Sequence, residues 1–221
     1  MVYQLDKDIK FPDPSLADPD GLLAIGGDLT EQRLILAYQS GIFPWYDEDS
    51  PILWYAPIER FVIYPEKLKV SKSLKQILKS NKFSVTADRC FSEVIQHCAQ
   101  APRKDQNGTW IIPEMQTAYC RLHESGYAHS IEVWQEEELV GGLYGVKVGK
   151  VFCGESMFTK VSNASKIALY YLAMEYDLEM IDCQIESEHL KKMGGEIIDQ
   201  KHYLKYINRY QIKPNDFQRA L

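Results

Sequence analysis

The sequence predicts an α+β fold: a mixed, mostly antiparallel sheet with flanking helices, preceded by a small N-terminal domain. Three observations carry this expectation. Residues 129–158, HSIEVWQEEELVGGLYGVKVGKVFCGESMF, read as three strands joined by two tight turns, EEE and VGK. Segments with the apolar spacing of helices lie on both sides of that run. Seven of the ten prolines (12, 14, 19, 44, 51, 57 and 65) fall in the first 65 residues, which read as a separate turn-rich unit. The expected division is residues 1–63 for this unit and 64–221 for the main domain.

The elements follow in order. A short helix starts at Thr30, has Glu31 near its amino end, carries Leu34, Ile35 and Tyr38 on one face and stops at Gly41. A proline-punctuated aromatic loop, GIFPWYDEDSPILWYAP, leads to a strand in RFVIYP. SKSLKQILKS is helical, FSVTAD is a strand, and CFSEVIQHCAQ and PEMQTAYCRLHESG are helices, the second stopped by its glycine. After the three-strand run, Ser162-Asn163 offers an N-cap for a helix through about Met174. EMIDCQIES reads as a strand, HLKKMGG as a short helix ending in glycine, and residues 202–210 as a last helix.

Composition narrows the function classes. A chain of 221 residues that is 45% hydrophobic and one quarter charged builds a folded core, not a disordered tract. No apolar run approaches a membrane span, and the start, MVYQLDKDIKFPDP, has no signal-like apolar core, so a soluble cytoplasmic protein is expected. The five cysteines form no CxxC pair and read as reduced thiols; with five scattered histidines, no metal site is expected. The net charge of −6 is uneven. Residues 1–65 hold four basic and eleven acidic residues, whereas residues 66–82 hold six lysines and one glutamate. Such a protein takes a polyanion in one place only.

Three constellations can carry chemistry. At 100° per residue, Lys72, Lys75, Lys79 and Lys82 share a stripe about 80° wide on the first helix of the main domain. A lone lysine stripe is most often a solvated face, but no acid lies between Lys67 and Lys82 to pair with it, which suits phosphates. Trp45, Trp54 and Trp110 sit in loops, where a tryptophan serves equally as a core plug or as a platform for a base, and the nearby lysines lean toward the platform. The third is a set of polar residues inside apolar strands. Glu155 stands in VFCGESMF beside Gly154, which marks a bulge or the close approach of a ligand. Strand alternation puts Asp182 and Gln184 on one face, with Cys183 turned away. Either segment alone could face water at a sheet edge. Together they suggest a polar-floored pocket with apolar walls.

Taken together, FPDPSLADPDGLLAIGGDL, AYQSGIFPWY, PILWYAP, NGTWI, LHESGYAHSIEVW, ELVGGLYGV, FCGESMF, NASK and IDCQ resemble the leucyl/phenylalanyl-tRNA–protein transferase family from about Phe11 to the last helix. The resemblance implies an acetyltransferase-like (GNAT-type) main domain and a soluble enzyme without a cofactor. That enzyme moves Leu or Phe, with Met a third candidate, from aminoacyl-tRNA to the α-amino group of proteins beginning with Arg or Lys. The product is a degradation signal, and a monomer is expected. Carried over residue by residue, the resemblance makes Asp182 and Gln184 the catalytic acid and amide, with Glu155 a pocket acid beside them. It makes Leu143, Phe152, Gly154, Met157, Leu169 and Ile181 the slot for the aminoacyl side chain. Trp45 and Trp110 would hold the terminal adenosine, and Lys72, Lys75, Lys79 and Lys82 the acceptor stem. Leu143 stands where the family can carry Met, which reshapes the slot. Within this scheme Gln184 aligns the attacking amine, Asp182 holds Gln184 and helps draw the proton away, and Glu155 anchors the aminoacyl group or its ribose.

Two rival readings are an acetyl-CoA-dependent N-acetyltransferase on the same fold and a non-catalytic tRNA acceptor-stem binding module. The first expects a glycine-rich loop before the long helix, where the sequence instead reads TKVSNASK. The second has no need of the Asp182/Gln184 pair.

Overall fold

A computed structural model describes residues 2–102, 109–214 and 217. The chain opens with β1 (Tyr3–Leu5), β2 (Leu22–Gly26), α1 (Glu31–Gln39), β3 (Phe43–Pro44) and β4 (Leu53–Tyr55). These four strands form a small sheet in the order β1-β2-β4-β3. The sequence did not announce them, because they run two to five residues and carry a bulge between Leu22 and Ala24. Trp54 is fully buried, and its indole N–H donates to the Gly26 carbonyl at 2.9 Å, so it is a plug of this unit's core.

The remaining elements are β5 (Glu59–Ile63), α2 (Lys72–Leu78), β6 (Ser84–Ala87), α3 (Phe91–Gln100), α4 (Pro113–Glu124), β7 (Ala128–Gln135), β8 (Glu138–Val148), β9 (Val151–Thr159), α5 (Ala164–Glu175), β10 (Met180–Asp182), α6 (Glu188–Lys192), β11 (Glu196–Asp199) and α7 (Gln200–Ile207). Seven strands form one sheet in the order β11-β5-β10-β9-β8-β7-β6. Every neighbour is antiparallel except β9 and β10, which run parallel. The fold is α+β, with a mixed, mostly antiparallel sheet.

The strand alternation of β7, β8 and β9 divides their side chains between two apolar layers. On one face Ile131, Leu143, Phe152 and Ile181 meet Ile167, Leu169 and Leu172 of α5. On the other, Tyr144, Val146 and Cys153 meet Ile95 of α3, Met115 and Tyr119 of α4, Tyr203 of α7, and Leu34 and Tyr38 of α1. The small sheet therefore shares a core with the large one.

Local chemistry explains several boundaries. Gly41 and Gly126 adopt φ of +72° and +78° just past α1 and α4, as the sequence predicts for their stops. Ser162-Asn163 behaves differently. Asn163 takes φ +72° and makes no side-chain cap bond, so α5 begins after a left-handed turn instead of a side-chain N-cap. Helix α2 is shorter than the lysine stripe requires. It ends at Leu78, and Asn81 turns left-handed at φ +50°. Lys72, Lys75 and Lys79 thus belong to one helical stripe, while Lys82 follows the turn; all four side chains are exposed. No helix among the described residues is long and apolar enough to cross a membrane.

Candidate active site

The site forms where two parallel strands part. β9 and β10 pair only over Val151–Cys153 and Met180–Asp182. Beyond Cys153, β9 continues to Thr159 with β8 as its neighbour, and β10 ends. A β-bulge lies at the same point: Gly145 opposes Gly154 and Tyr144 opposes Ser156, leaving Glu155 as the extra residue. Gly145 is required there, since a Cβ would lie 2.2 Å from the Cys153 carbonyl oxygen. The bulge aims a carboxylate into the opening between the strands.

Glu155 is 7% exposed, and each of its oxygens accepts a hydrogen bond. Its Oε1 accepts from Gln184 Nε2 at 2.8 Å and its Oε2 accepts from the Tyr119 hydroxyl at 3.2 Å. The Tyr119 hydroxyl also bonds that of Tyr38, so the acid is tied through α4 to α1 of the N-terminal unit. Burial pushes the Glu155 carboxyl up to about 7, against the bonds from Tyr38, Gln184 and Tyr119 and with help from the Asp182 charge. A carboxyl poised there gains or loses a proton readily at neutral pH.

Ile181 and Cys183 line the cavity while Asp182 and Gln184 do not, as alternation expects, although Gln184 lies past the end of β10. Gln184 has φ +62°, a left-handed conformation uncommon for a residue with a side chain. The Asp182 side chain stabilises that turn, since its Oδ1 accepts from the Gln184 backbone N–H at 2.8 Å. Its Oδ2 accepts from the Tyr203 hydroxyl at 2.8 Å and pairs with Arg60 at 3.2 Å. Arg60 is itself 2% exposed, donates to the Gly41 carbonyl at 2.9 Å, and lies over the Phe43 and Tyr203 rings. Asp182, 1% exposed, is thus an internal strut. Cys183 points away from Asp182 as expected, but that side is the one that holds the cavity, which Cys183 lines.

That cavity holds about 260 Å³. Leu143, Phe152, Gly154, Met157, Leu169 and Ile181, the six slot residues expected from the sequence, all line it, together with Glu155. Its lining is chiefly apolar, with α5 on one side and the sheet on the other. Leu172, Ser187, His189 and Leu190 also line it and had no signal in the sequence. The His189 Nε2 is shut from solvent without a hydrogen-bond partner, and burial and the neighbouring Lys166 and Lys192 lower its proton affinity. Tyr38, Tyr119, Arg60 and Tyr203 were likewise missed. Each reads as ordinary core or strand sequence, and its partner lies far along the chain.

Trp45 and Trp110 come together in a second depression, on the surface, with Tyr46, Leu53, Tyr55, Thr109 and the acidic run Asp47, Glu48, Asp49. Trp45 meets Tyr55 edge to face. Asn107 and Gly108, which precede Thr109 in the sequence, lie outside the described residues. Among the described residues, no cluster of three His, Cys, Asp or Glu side chains is placed to hold a metal ion.

Known proteins can be set against this geometry. The family model for leucyl/phenylalanyl-tRNA protein transferase matches residues 62–208, and that for the N-terminal domain of the same family matches residues 27–58. A leucyl/phenylalanyl-tRNA–protein transferase of Syntrophobacter fumaroxidans is 52% identical over 209 residues, which cover 93% of this chain and 89% of its own. One of Flavobacterium johnsoniae is 52% identical, with 93% and 99% covered. Among solved structures, a GCN5-related N-acetyltransferase from Kribbella flavida aligns over 72% of this chain and 57% of its own, at 8% identity and a TM-score of 0.38. With both family models matched in order and half of the residues identical to these relatives, the chain belongs to the leucyl/phenylalanyl-tRNA protein transferase family, enzymes that transfer an aminoacyl group from tRNA to protein.

Proposed function

We propose that the chain transfers Leu or Phe from its charged tRNA to the α-amino group of proteins beginning with Arg or Lys, in the cytoplasm and as a monomer, creating a degradation signal. The observation that carries the chemistry is the bond between buried Glu155 and half-buried Gln184 at the edge of an apolar cavity. The cavity suits a branched or planar apolar side chain, and Met157 in its wall repacks easily around either. The pair then lies beside the ester carbonyl.

In the reaction the amine nitrogen forms a bond to the ester carbonyl carbon, and the bond from that carbon to the ribose oxygen breaks. The proton leaving the amine ends on that oxygen. An α-amino group has a pKa near ~8, so part of it is already neutral at pH 7 and a strong base is unnecessary. Gln184 donates its N–H to Glu155, which leaves its own carbonyl oxygen to receive the amine N–H. Glu155, whose carboxyl is pushed up to about 7 by burial, takes the proton in its ionised form and returns it to the ribose oxygen. Asp182 is a positioning residue. Three bonds occupy its oxygens, and its work is to fix the left-handed turn that presents Gln184. The sequence left the proton's acceptor open and gave Glu155 only an anchoring role; here Glu155 takes the proton.

Trp45 and Trp110 are the stacking platform for the terminal adenosine. The acids beside them favour a base there over a phosphate. Lys72, Lys75 and Lys79, with Lys82 past the turn, meet the acceptor-stem phosphates. Replacing the first three by alanine is expected to flatten the dependence of log tRNA affinity on log salt by about 2.5 to 3. An unchanged slope, measured by filter binding across salt concentrations, contradicts their role.

The direct test supplies the purified protein with Phe-tRNA or Leu-tRNA and a peptide beginning with Arg. The expected product is the peptide extended by one residue, and none when the peptide amine is acetylated. Absence of transfer, or turnover of acetyl-CoA without tRNA, overturns the proposal.

A further inference from the structure

Phe217 lies ten residues beyond the end of α7 and outside the segment 62–208 matched by the family model, yet it is only 2% exposed. Its ring stacks on Tyr176 at 4.0 Å between centroids, on His129 at 4.5 Å and on Phe152 at 5.9 Å. Tyr176 directly follows α5, His129 belongs to β7 and Phe152 to β9. The ring is therefore wedged between the end of α5 and the sheet. His129 is a fixed backstop, because its Nδ1 bonds Asp88 at 2.9 Å.

The same gap, further along, is the aminoacyl cavity. Leu169 and Leu172 form its helix wall, and Leu143, Phe152 and Ile181 its sheet wall. Phe152 has little freedom elsewhere, since its ring covers Gly145 so closely that a Cβ there would lie 2.6 Å from Cε1. Phe217 stacks against Phe152 but is not among the residues that line the cavity.

We propose that Phe217 sets the depth of the aminoacyl side-chain cavity. It backs Phe152 and holds the end of α5 off the sheet, so a residue near the C-terminus that touches no substrate tunes the choice between Leu and Phe. It is a positioning residue, and the inference rests on the aminoacyl transfer proposed above. Packed interiors transmit the loss of a buried ring as a shift of its neighbours or as an opened void. Phe152 retreats into the space that the ring leaves, and the longer cavity penalises the shorter Leu more than Phe.

The experiment measures kcat/KM for Leu-tRNA and Phe-tRNA with one Arg-starting peptide, for the wild type, Phe217→Ala and Phe217→Leu. Phe217→Ala is expected to shift the ratio toward Phe by about tenfold or more, and Phe217→Leu in the same direction by less. If the alanine variant does not fold, as read by its thermal melt, the leucine variant decides. A ratio equal to the wild type in a folded variant, with both donors slowed in step, makes Phe217 merely structural and overturns the inference. A wild type that transfers neither residue instead overturns the functional reading itself, so the two failures are distinguishable.

Discussion

Replacing Glu155 by glutamine is expected to lower the transfer rate by about 10²–10⁴-fold, the usual contribution of a positioned general base. The shape of the side chain survives, and an amide oxygen at the same place can still accept from Gln184 Nε2. What is lost is the group that takes the proton. The pH profile separates this from a loss of packing. Burial holds the wild-type carboxyl up at about 7, so it is protonated and idle at pH 6 and ionised at pH 8. The wild-type rate should therefore rise with pH through about 7. In Glu155→Gln that limb should vanish, leaving only the rise of the attacking amine near ~8. The same shift has a consequence for stability. The folded-state pKa is raised above the unfolded value, so this group's contribution is full below about 4.5 and declines as pH rises through about 7. The glutamine variant should melt with less pH dependence over that window. A variant that keeps the wild-type limb near 7 assigns the proton elsewhere.

The second large effect is expected at Asp182, and it is structural before it is kinetic. Asp182→Ala leaves the Arg60 guanidinium buried without its carboxylate, and breaking a buried ion pair from one side costs about 3–5 kcal/mol. For a chain of this size that lowers Tm by on the order of 10 °C. It also removes the acceptor for the Gln184 backbone N–H and frees the turn at φ +62°. The double variant Asp182→Ala with Arg60→Met should recover much of the stability, because no charge remains buried. It should not recover the rate, since the turn that presents Gln184 stays unsupported. Recovery of both by the double variant contradicts the assignment of Asp182 as the strut of Gln184. Calorimetry and a transfer assay on the same three proteins decide this.

How far this site was legible in the sequence depends on how far its parts lie from one another. The β7–β8–β9 meander and helices α1, α3 and α4 follow from local periodicity and glycine stops, and the structure places them accordingly. The cavity wall followed from the family resemblance, and Leu143, Phe152, Met157, Leu169 and Ile181 do line the cavity. What failed was the choice of face. Alternation does set Ile181 and Cys183 on one side and Asp182 on the other, but the cavity opens on the Ile181 side. Strand β11, four residues with largely exposed side chains, gave no alternating signal. The supports of the reacting groups were invisible for a different reason. Arg60 and Asp182 are 122 positions apart, and Tyr119 and Glu155 sit on different elements, so only their contact in space gives them a role. Nor does a bulge announce itself. Gly154 hinted at one, but that Glu155 is the residue it ejects is a matter of strand register.

The central claim is that Gln184, held by Asp182 and bonded to Glu155, aligns the amine for attack without itself binding tRNA. The measurement closest to it is single-turnover transfer of labelled Phe from saturating Phe-tRNA to an Arg-starting peptide, for the wild type and Gln184→Ala, alongside the tRNA affinity of each. The account predicts a rate lower by at least about a hundredfold, in line with lost orientation, with an unchanged affinity. Equal single-turnover rates, or a loss explained entirely by weaker tRNA binding, would contradict it.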